Sequence, residues 1–268
     1  MFVHLLIASL LSLSGQNPSW SFRFQNGEIL KYRSSVNEKR TMKLPDGTLE
    51  LTADAEVIVT LRVTSVNANY ATMSVGYSQP KAKVSILKAP PKVDSKKKKE
   101  YETSATEQLK RLLLAGDRTQ RVTSRGVSTY VYKVGAGKSL TIENGGFFLL
   151  VLPKSPPKVG QTWSANVALP DPNGSEPVKY TYKYVGMQKV GKEDAYKITL
   201  SSSTSGSQKM PKGGTLSGSE KISGYMLLGK NSGKLLSGEI SRVATSRLSS
   251  ESEKGEAKVT TVQRLTKL

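Results

Sequence analysis

The chain has 268 residues, and its 40 Lys and Arg against 21 Asp and Glu give a formal net charge of +19. Cysteine is absent, and the one histidine, His4, lies in an apolar N-terminal segment. Once that segment is removed, cysteine nucleophiles, serine–histidine–acid triads, disulfides and the usual zinc or iron sites are excluded, while the length suffices for one large β domain or two smaller ones.

The first predicted element is an export signal over residues 1–16. Residues 2–13 are almost entirely apolar, and Ser14 and Gly15 offer small side chains for cleavage. No Lys or Arg precedes the run, and the alternative is a buried N-terminal strand or helix. The segment is too short to span a bilayer. We therefore expect a periplasmic or extracellular protein that does not span the membrane.

Residues 20–88 predict an antiparallel meander with one apolar face. The alternation that starts at Trp20 favours a first strand, followed by a three-residue loop that ends in a left-handed Gly27. This loop sets Phe22 opposite Leu30, whereas a two-residue turn would set apolar residues opposite charged ones.

The second hairpin is predicted to turn at Asp46–Gly47 as a two-residue loop. That register sets Leu44 opposite Leu49 and Met42 opposite Leu51, which matches apolar groups on one face.

A third strand follows a predicted three-residue loop at 67–69. This loop aligns Val63 with Met73 and Leu61 with Val75. This strand completes the meander.

Residues 89–100 are predicted to form a mobile basic loop, because Pro90–Pro91 breaks the strand pattern and a run of lysines repels itself. The loop is also the candidate site for polyanions. Its candidate binding residues are Lys92, Lys96, Lys97, Lys98 and Lys99. The alternative is a solvated loop without a partner.

One short amphipathic helix is predicted over 104–115. Ser104 and Glu107 match a capping box, and Gly116 is a typical helix end.

Strand patterns resume after the helix, and prolines at 153–157 mark a boundary between two β-rich halves, 17–153 and 154–268. The predicted strands are 119–123, 127–134, 178–184, 194–202, 216–229, 235–248 and 256–266. The fold class is mainly β: antiparallel meander sheets, half-barrel or sandwich-like, with one short helix.

The two halves open on similar sequences, Gly27-x-x-Leu30 and Gly160-x-x-Trp163. A diverged duplication and an unrelated pair of halves remain equally open, because no residue-level repeat accompanies these openings.

The opening strand with Gly27, Leu30 and Tyr32, together with Lys158–Trp163, resembles uncharacterised exported bacterial β-sheet proteins classed as domains of unknown function. The resemblance covers residues 20–268 and implies no agreed activity. In architecture alone, the chain also resembles the half-barrel carriers that shield lipids or lipoproteins in the bacterial envelope.

Three constellations invite a chemical interpretation. Asp54 and Glu56 share one strand face, but that face continues with polar residues and is typical of a solvated surface. Residues 171–176 resemble the start of a calcium loop without the remaining spacing, so a polar turn is favoured. The stripe of Tyr180, Tyr182 and Tyr184 predicts a core face, and base stacking is the alternative.

Three function classes follow from these patterns. The first is a non-enzymatic exported envelope protein that binds an apolar or amphiphilic ligand on a concave sheet. The second is a basic surface protein that binds anionic envelope polymers or extracellular DNA. The last is a carboxylate-dependent hydrolase. We expect no cofactor, no metal and no cellular nucleic acid partner.

Overall fold

The computed structural model describes residues 20–114, 118–133, 139–146, 148–168, 177–210, 214–250 and 254–268, and these form twelve strands and one helix. Their bounds are β1 Ile29–Leu44, β2 Gly47–Val66, β3 Tyr70–Lys88, α1 Ser95–Leu114, β4 Arg118–Thr123, β5 Val127–Lys133, β6 Ser139–Gly146, β7 Thr162–Val167, β8 Val178–Val190, β9 Glu193–Lys209, β10 Thr215–Gly229, β11 Leu235–Ser249 and β12 Lys254–Lys267. The mainly β class with one helix is confirmed.

All twelve strands belong to one antiparallel sheet in which each strand pairs with its neighbours in the chain. There are two exceptions: β1 pairs with β12, and β6 does not pair with β7. Strands β6 and β7 are therefore the two edge strands. These edges come into contact with each other, so the sheet curls around an interior. We call the side of the sheet that faces this interior the inner face.

One hydrophobic core fills the interior at one end of the sheet, which we call the closed end. Strands far apart in the sheet order contribute to it, with Leu61 on β2 and Tyr182 on β8 both buried. The core also contains Trp20, which stacks on Tyr196 with ring centroids 4.2 Å apart. Residues of both predicted halves therefore pack in one common core.

A segment between β6 and β7 lies inside this core. Leu150 and Leu152 are fully buried, and the hydroxyl of Tyr182 donates to the carbonyl oxygen of Leu149 at 2.7 Å. The indole N–H of Trp163 donates to the carbonyl oxygen of Val151 at 2.7 Å. Residues 148–152 thus fill the closed end with apolar side chains while their carbonyls keep hydrogen-bond partners.

The tyrosine stripe of β8 is a core face, as its alternation predicts. Tyr180, Tyr182 and Tyr184 are buried, whereas Lys179 and Lys183 between them are exposed. Successive side chains of a strand point to opposite faces, so the lysines lie on the outer surface.

The predicted register of the β1–β2 hairpin is wrong by two residues. Met42 pairs with Leu49 and Leu44 pairs with Gly47, so the turn is Pro45–Asp46. A shift of two keeps every side chain on its face, which is why apolar matching alone selects either register.

The predicted first strand is also wrong. Residues 22–25 are irregular, and their backbone bonds to loops: the N–H of Phe22 donates to Ser124 and that of Arg23 to Gly233. Gly27 has φ 78°, which confirms the left-handed glycine.

The remaining strand predictions hold. Val63 pairs with Met73 and Leu61 with Val75, as predicted for the third strand. Strands β4, β5 and β8 to β12 coincide with the predicted ones within a few residues, except that β8 and β9 extend further.

The helix begins nine residues earlier than predicted, so Lys96–Lys99 lie in its first turns and not in a loop. Asp94 caps it, because its carboxylate accepts the N–H of Lys97 at 2.8 Å. Ser104 is an interior helical residue, which contradicts the capping box. The helix packs along β3, where the Thr106 hydroxyl accepts the backbone N–H of Val84. The helix thereby supplies a hydrogen-bond partner to the part of the β3 edge that β4 does not pair with.

The opening turns of the two halves have the same hydrogen bonds. The backbone N–H of Gln25 donates to the Glu28 carboxylate, and that of Lys158 donates to the Gln161 side chain. Gly160 has φ 87°, close to the 78° of the glycine in the first turn. Six strands follow each turn, so the two halves share both their opening geometry and their strand count.

Candidate functional site

Six strands continue beyond the core, and most of their inner face has no filled interior, although Leu51 on β2 and Ile222 on β10 are buried. We call this part of the sheet the open region. It comprises residues 36–44 of β1, 47–55 of β2, 202–209 of β9, 215–222 of β10, 240–249 of β11 and 254–263 of β12. Side chains that lie opposite each other across these strands form rows on the inner face.

The row nearest the core carries polar and charged groups. Glu38 pairs across the sheet with Thr261, Thr261 with Arg242, Arg242 with Ile222, and Ile222 with Ser202. The next row contains Arg40, Val259, Ala244, Glu220 and Thr204. We call Glu38, Arg40, Glu220 and Arg242 with Thr261 the polar belt.

The four charged groups of the polar belt form two ion pairs. Arg40 donates to Glu38 on the same strand at 2.9 Å, and Arg242 donates two hydrogen bonds to Glu220. The Thr261 hydroxyl lies 3.4 Å from the Glu38 carboxylate. The belt therefore has no net charge, and it separates the apolar core from the rest of the inner face.

Two donors at the belt have no hydrogen-bond partner among the described residues. They are the Nε of Arg40 and the hydroxyl of Tyr180, and both atoms are buried. The pKa of Tyr180 is raised to about 12, chiefly by burial and in addition by the nearby Glu220 carboxylate, while Arg242 opposes the rise. Unpaired buried donors are costly, so an acceptor at the belt would be stabilised.

Beyond the belt, the inner face becomes apolar and small. One row consists of Leu49, Met42, Ala257, Ser246, Gly218 and Gly206. Where the two glycines pair, the missing side chains leave a depression of about 400 Å³. It is lined by Glu220 and Ala244 of the inner face and also by Ser205, Ser219 and Thr245 of the outer face. The row after it carries Leu44 and Leu216, which are 43% and 38% exposed.

The outer face of the same strands is polar. Ser203, Ser205 and Ser207 occupy it on β9, and the neighbouring strands add mostly Ser, Thr and charged residues. An antiparallel sheet with one solvated face usually packs its apolar face against another part of the protein or a partner. The contrast between the two faces therefore indicates that the inner face needs a cover. Nothing among the described residues covers the inner face of β9 to β12 in the open region.

The predicted polyanion residues all lie at one corner of the open region. Lys92 pairs with Asp46 at 2.9 Å, and Lys96, Lys97 and Lys99 are exposed on the first turns of α1 while Lys98 is half-buried. No salt bridge forms between Lys96–Lys99 and an acidic group within the described part of the chain.

The other sequence candidates do not form a site. Asp54 accepts a hydrogen bond from Asn37 at 2.6 Å, and Glu56 pairs with Lys81 at 3.2 Å, both on the outer face. The export signal and residues 171–176 lie outside the described residues. In the described ranges, no cluster of three His, Cys, Asp or Glu residues is placed to hold a metal ion.

The polar belt was missed by the sequence analysis. Its signal is a pair of charged residues in the apolar phase of a strand: Tyr32, Ser34 and Val36 are followed at the same spacing by Glu38 and Arg40. Charged residues at these inward-facing positions suggest that the strand has left the core and that its side chains lie in solvent.

No protein-family model matches this chain, and no curated protein sequence matches it. Among solved structures, lipovitellin, described for its lipid–protein interactions, is similar over 92% of this chain, with 12% identity and a TM-score of 0.50. The match covers 25% of lipovitellin, so this chain spans about a quarter of that protein, and the likeness shows the fold alone.

Two bacterial β proteins align at lower similarity. An outer-membrane channel from Pseudomonas putida covers 96% of this chain and aligns over 100% of its own length, with 8% identity and a TM-score of 0.25. The β domain of a Bordetella autotransporter covers 87% of this chain and 98% of its own length, also with 8% identity and a TM-score of 0.25. Among the described residues, no helix combines the length and the apolar character that a membrane crossing requires.

Proposed function

We propose that this protein is a non-enzymatic, exported envelope protein that binds an amphiphilic ligand on the inner face of its open region. The observation that carries the proposal is the contrast between the two faces of the same strands. The inner face beyond the polar belt is mostly aliphatic or small, with Gln208 as a polar exception, while the outer face is mostly polar. An apolar face of this extent in a soluble sheet is typical of a ligand or partner site.

The arrangement of the face supports an amphiphile over a purely apolar ligand. The polar belt offers paired arginines and two unpartnered donors near the core, and the apolar rows lie between the belt and the open end. A ligand with an acceptor-bearing head group at the belt and an apolar tail along the outer rows would satisfy both surfaces.

Two further observations support the proposal. The apolar segment at residues 2–13 is the basis for export. The fold similarity to lipovitellin, a protein studied for lipid–protein interactions, agrees with a lipid ligand. The inner-face carboxylates Glu38 and Glu220 are each engaged by an arginine, which favours recognition over acid–base catalysis.

The test is a titration of the purified protein with N-phenyl-1-naphthylamine, an apolar dye that fluoresces in apolar surroundings. Val259→Glu places a charge on the inner face, and Val262→Glu is its matched control because both valines are half-buried on β12 but face opposite sides. We expect the first variant to lower dye affinity about tenfold or more, since the added carboxylate must lose its water when an apolar dye covers the inner face, and the second to leave it unchanged.

Displacement of the dye by a fatty acid or a lysophospholipid would identify the ligand class. Equal affinity of both variants and the unmodified protein would contradict binding at the inner face, as would the absence of any dye binding.

A further inference from the structure

The tips of the strands at the open end form one continuous border, which we call the rim. Its described parts are 44–47, 88–99, 209–210, 214–216, 247–250 and 254–256. They come from three hairpins and from the connection between β3 and α1, which the sequence places far apart. The antiparallel pairing brings all four to the same end of the sheet.

Contacts between the tips hold the rim together. Lys92 pairs with Asp46, and Pro91 packs beside Gly47, where an added Cβ would lie 3.4 Å from the proline ring. On the other side of the β1–β2 turn, Lys43 pairs with Glu256 at 2.9 Å. The rim therefore joins the β3–α1 connection to the β1–β2 and β11–β12 turns.

The last tip is joined by close packing. A Cβ on Gly214 would lie 2.9 Å from the Cβ of Ser250, so the β9–β10 turn packs against the β11–β12 turn. Between the β1–β2 and β11–β12 turns lies an open depression of about 450 Å³ that Leu44, Pro45 and Leu248 line. The same depression is also lined by charged residues, namely Lys43, Arg247, Lys254 and Glu256.

The rim exposes large apolar side chains to solvent. Leu44 is 43% exposed, and Val93, Met210 and Leu216 are each 38% exposed. These residues belong to three of the four tips, so the exposure is shared by most of the rim. Apolar groups on a polar border are typical of surfaces that contact a lipid bilayer or a partner.

The charge at the rim favours an anionic lipid bilayer as the partner. Six lysines and one aspartate lie in residues 88–99, and Lys96–Lys99 form no salt bridge within the described part of the chain. A cluster of lysines beside exposed apolar groups is the pattern that anionic lipid surfaces attract.

We propose that the rim docks on an anionic lipid bilayer and presents the open inner face to amphiphiles in that bilayer. The inference extends the proposed function, since docking supplies the ligand that the inner face binds. The lysines of residues 88–99 provide the attraction, and the apolar tips enter the head-group region. The paired rim lysines, Lys43 and Lys92, keep the tips in contact with one another.

The test is flotation of the protein with vesicles of phosphatidylcholine alone and with about one-third phosphatidylglycerol. One variant replaces Lys96–Lys99 by Gln, and its control replaces four exposed lysines elsewhere, most of them at the closed end, so that the net charge is equal. The control carries Lys158→Gln, Lys183→Gln, Lys189→Gln and Lys192→Gln. A third variant combines Leu44→Ser with Met210→Ser.

We expect binding to anionic vesicles to exceed binding to neutral vesicles at least tenfold. The Lys96–Lys99 variant should lose most of this preference, the control should keep it, and Leu44→Ser with Met210→Ser should weaken binding without changing its salt dependence. Equal losses in the lysine variant and the control would overturn the proposal, because non-local charge would then explain the attraction. So would retention on DNA that needs the lysines but not the two apolar tips, which is the behaviour of a general polyanion binder.

Dye titration without vesicles separates this proposal from the proposed function. A protein that binds the dye but ignores anionic vesicles would overturn the rim alone. Vesicle binding that depends on the rim in a protein that never binds the dye would retain the rim and overturn the inner-face ligand.

Discussion

The closed end and the open region are built from the same strands with the same alternation, yet they differ in what lies against their inner face. On β2, Leu61 and Leu49 point to the same side of the sheet, but Leu61 is 1% exposed and Leu49 only half-buried. At the closed end, Trp20 and residues 148–152 fill the interior. Strand pattern therefore decides which face is apolar, and segments outside the strands decide which part of that face becomes core.

The largest expected effect comes from truncating the same residue type in both regions. Leu61→Ala should destabilise the protein by roughly 3–4 kcal/mol, because it leaves a cavity in a packed core. Leu49→Ala should cost less than about 1 kcal/mol, since solvent or ligand already reaches that side chain. Urea unfolding measures both, and equal losses would show that the open region is packed like the core.

The two regions also differ in their ion pairs. Lys234 is buried at the closed end, where it pairs with Glu28 and contacts the carbonyl of Arg23; burial lowers the pKa of Lys234, while Glu28 opposes that shift. Glu28→Gln leaves this ammonium without its counter-charge and should cost about 3 kcal/mol.

The matched change at the rim is Asp46→Asn, which breaks the exposed pair with Lys92. It should alter the free energy of unfolding by no more than about 0.5 kcal/mol. Thermal unfolding of both variants compares the pairs, and a larger loss for Asp46→Asn than for Glu28→Gln would contradict the distinction between the two ends.

Two neighbouring tyrosines mark the border between the regions. The Tyr182 hydroxyl donates to Leu149, whereas the Tyr180 hydroxyl has no partner among the described residues. Tyr182→Phe should cost about 1–2 kcal/mol, because the carbonyl of Leu149 loses its donor. Tyr180→Phe should be neutral or slightly stabilising. Tyr180→Phe should instead reduce binding of a fatty acid in the dye-displacement assay, and a purely structural role would leave that binding unchanged.

The smallest effect is a dependence on alkaline pH. Burial raises the pKa of Tyr180 to about 12, and it also raises those of Tyr32 and Tyr182 above the ordinary value. A raised folded pKa means that stability is fully present below pH 10, the unfolded value, and is lost as the pH rises from there toward the folded pKa. The melting temperature should fall between pH 10 and 12. The melting temperature of the Tyr180→Phe variant should fall less steeply over this range. The melting temperature of the Tyr101→Phe variant should follow that of the unmodified protein, because Tyr101 is exposed on the helix.

Much of the sheet could be predicted from the sequence, because alternation and turn residues are local signals. The register of β1 and β2 could not, since shifts of two residues preserve the apolar face. The start of α1 could not be predicted either, because the run Lys96–Lys99 favours a solvated loop, whereas in the structure Asp94 caps a helix that contains these lysines. A capped helix that packs on β3 tolerates those charges, because they remain in solvent.

The candidate site was harder to predict than the fold. Whether an apolar strand face is core or surface depends on distant segments, and residues 148–152 give no local sign that they lie inside the sheet. Glu38 and Arg40 resemble solvated residues until their cross-strand neighbours are known.

The central claim is that an amphiphile contacts the inner face of the open region. Because the chain has no cysteine, Val259→Cys and Val262→Cys each provide a single labelling position, one on the inner face and one on the outer face of β12. A fluorescent label at each position, titrated with a nitroxide-bearing fatty acid, measures contact directly. The account predicts strong, saturable quenching at 259 and little at 262. Equal quenching at both positions, or stronger quenching at 262, would contradict it.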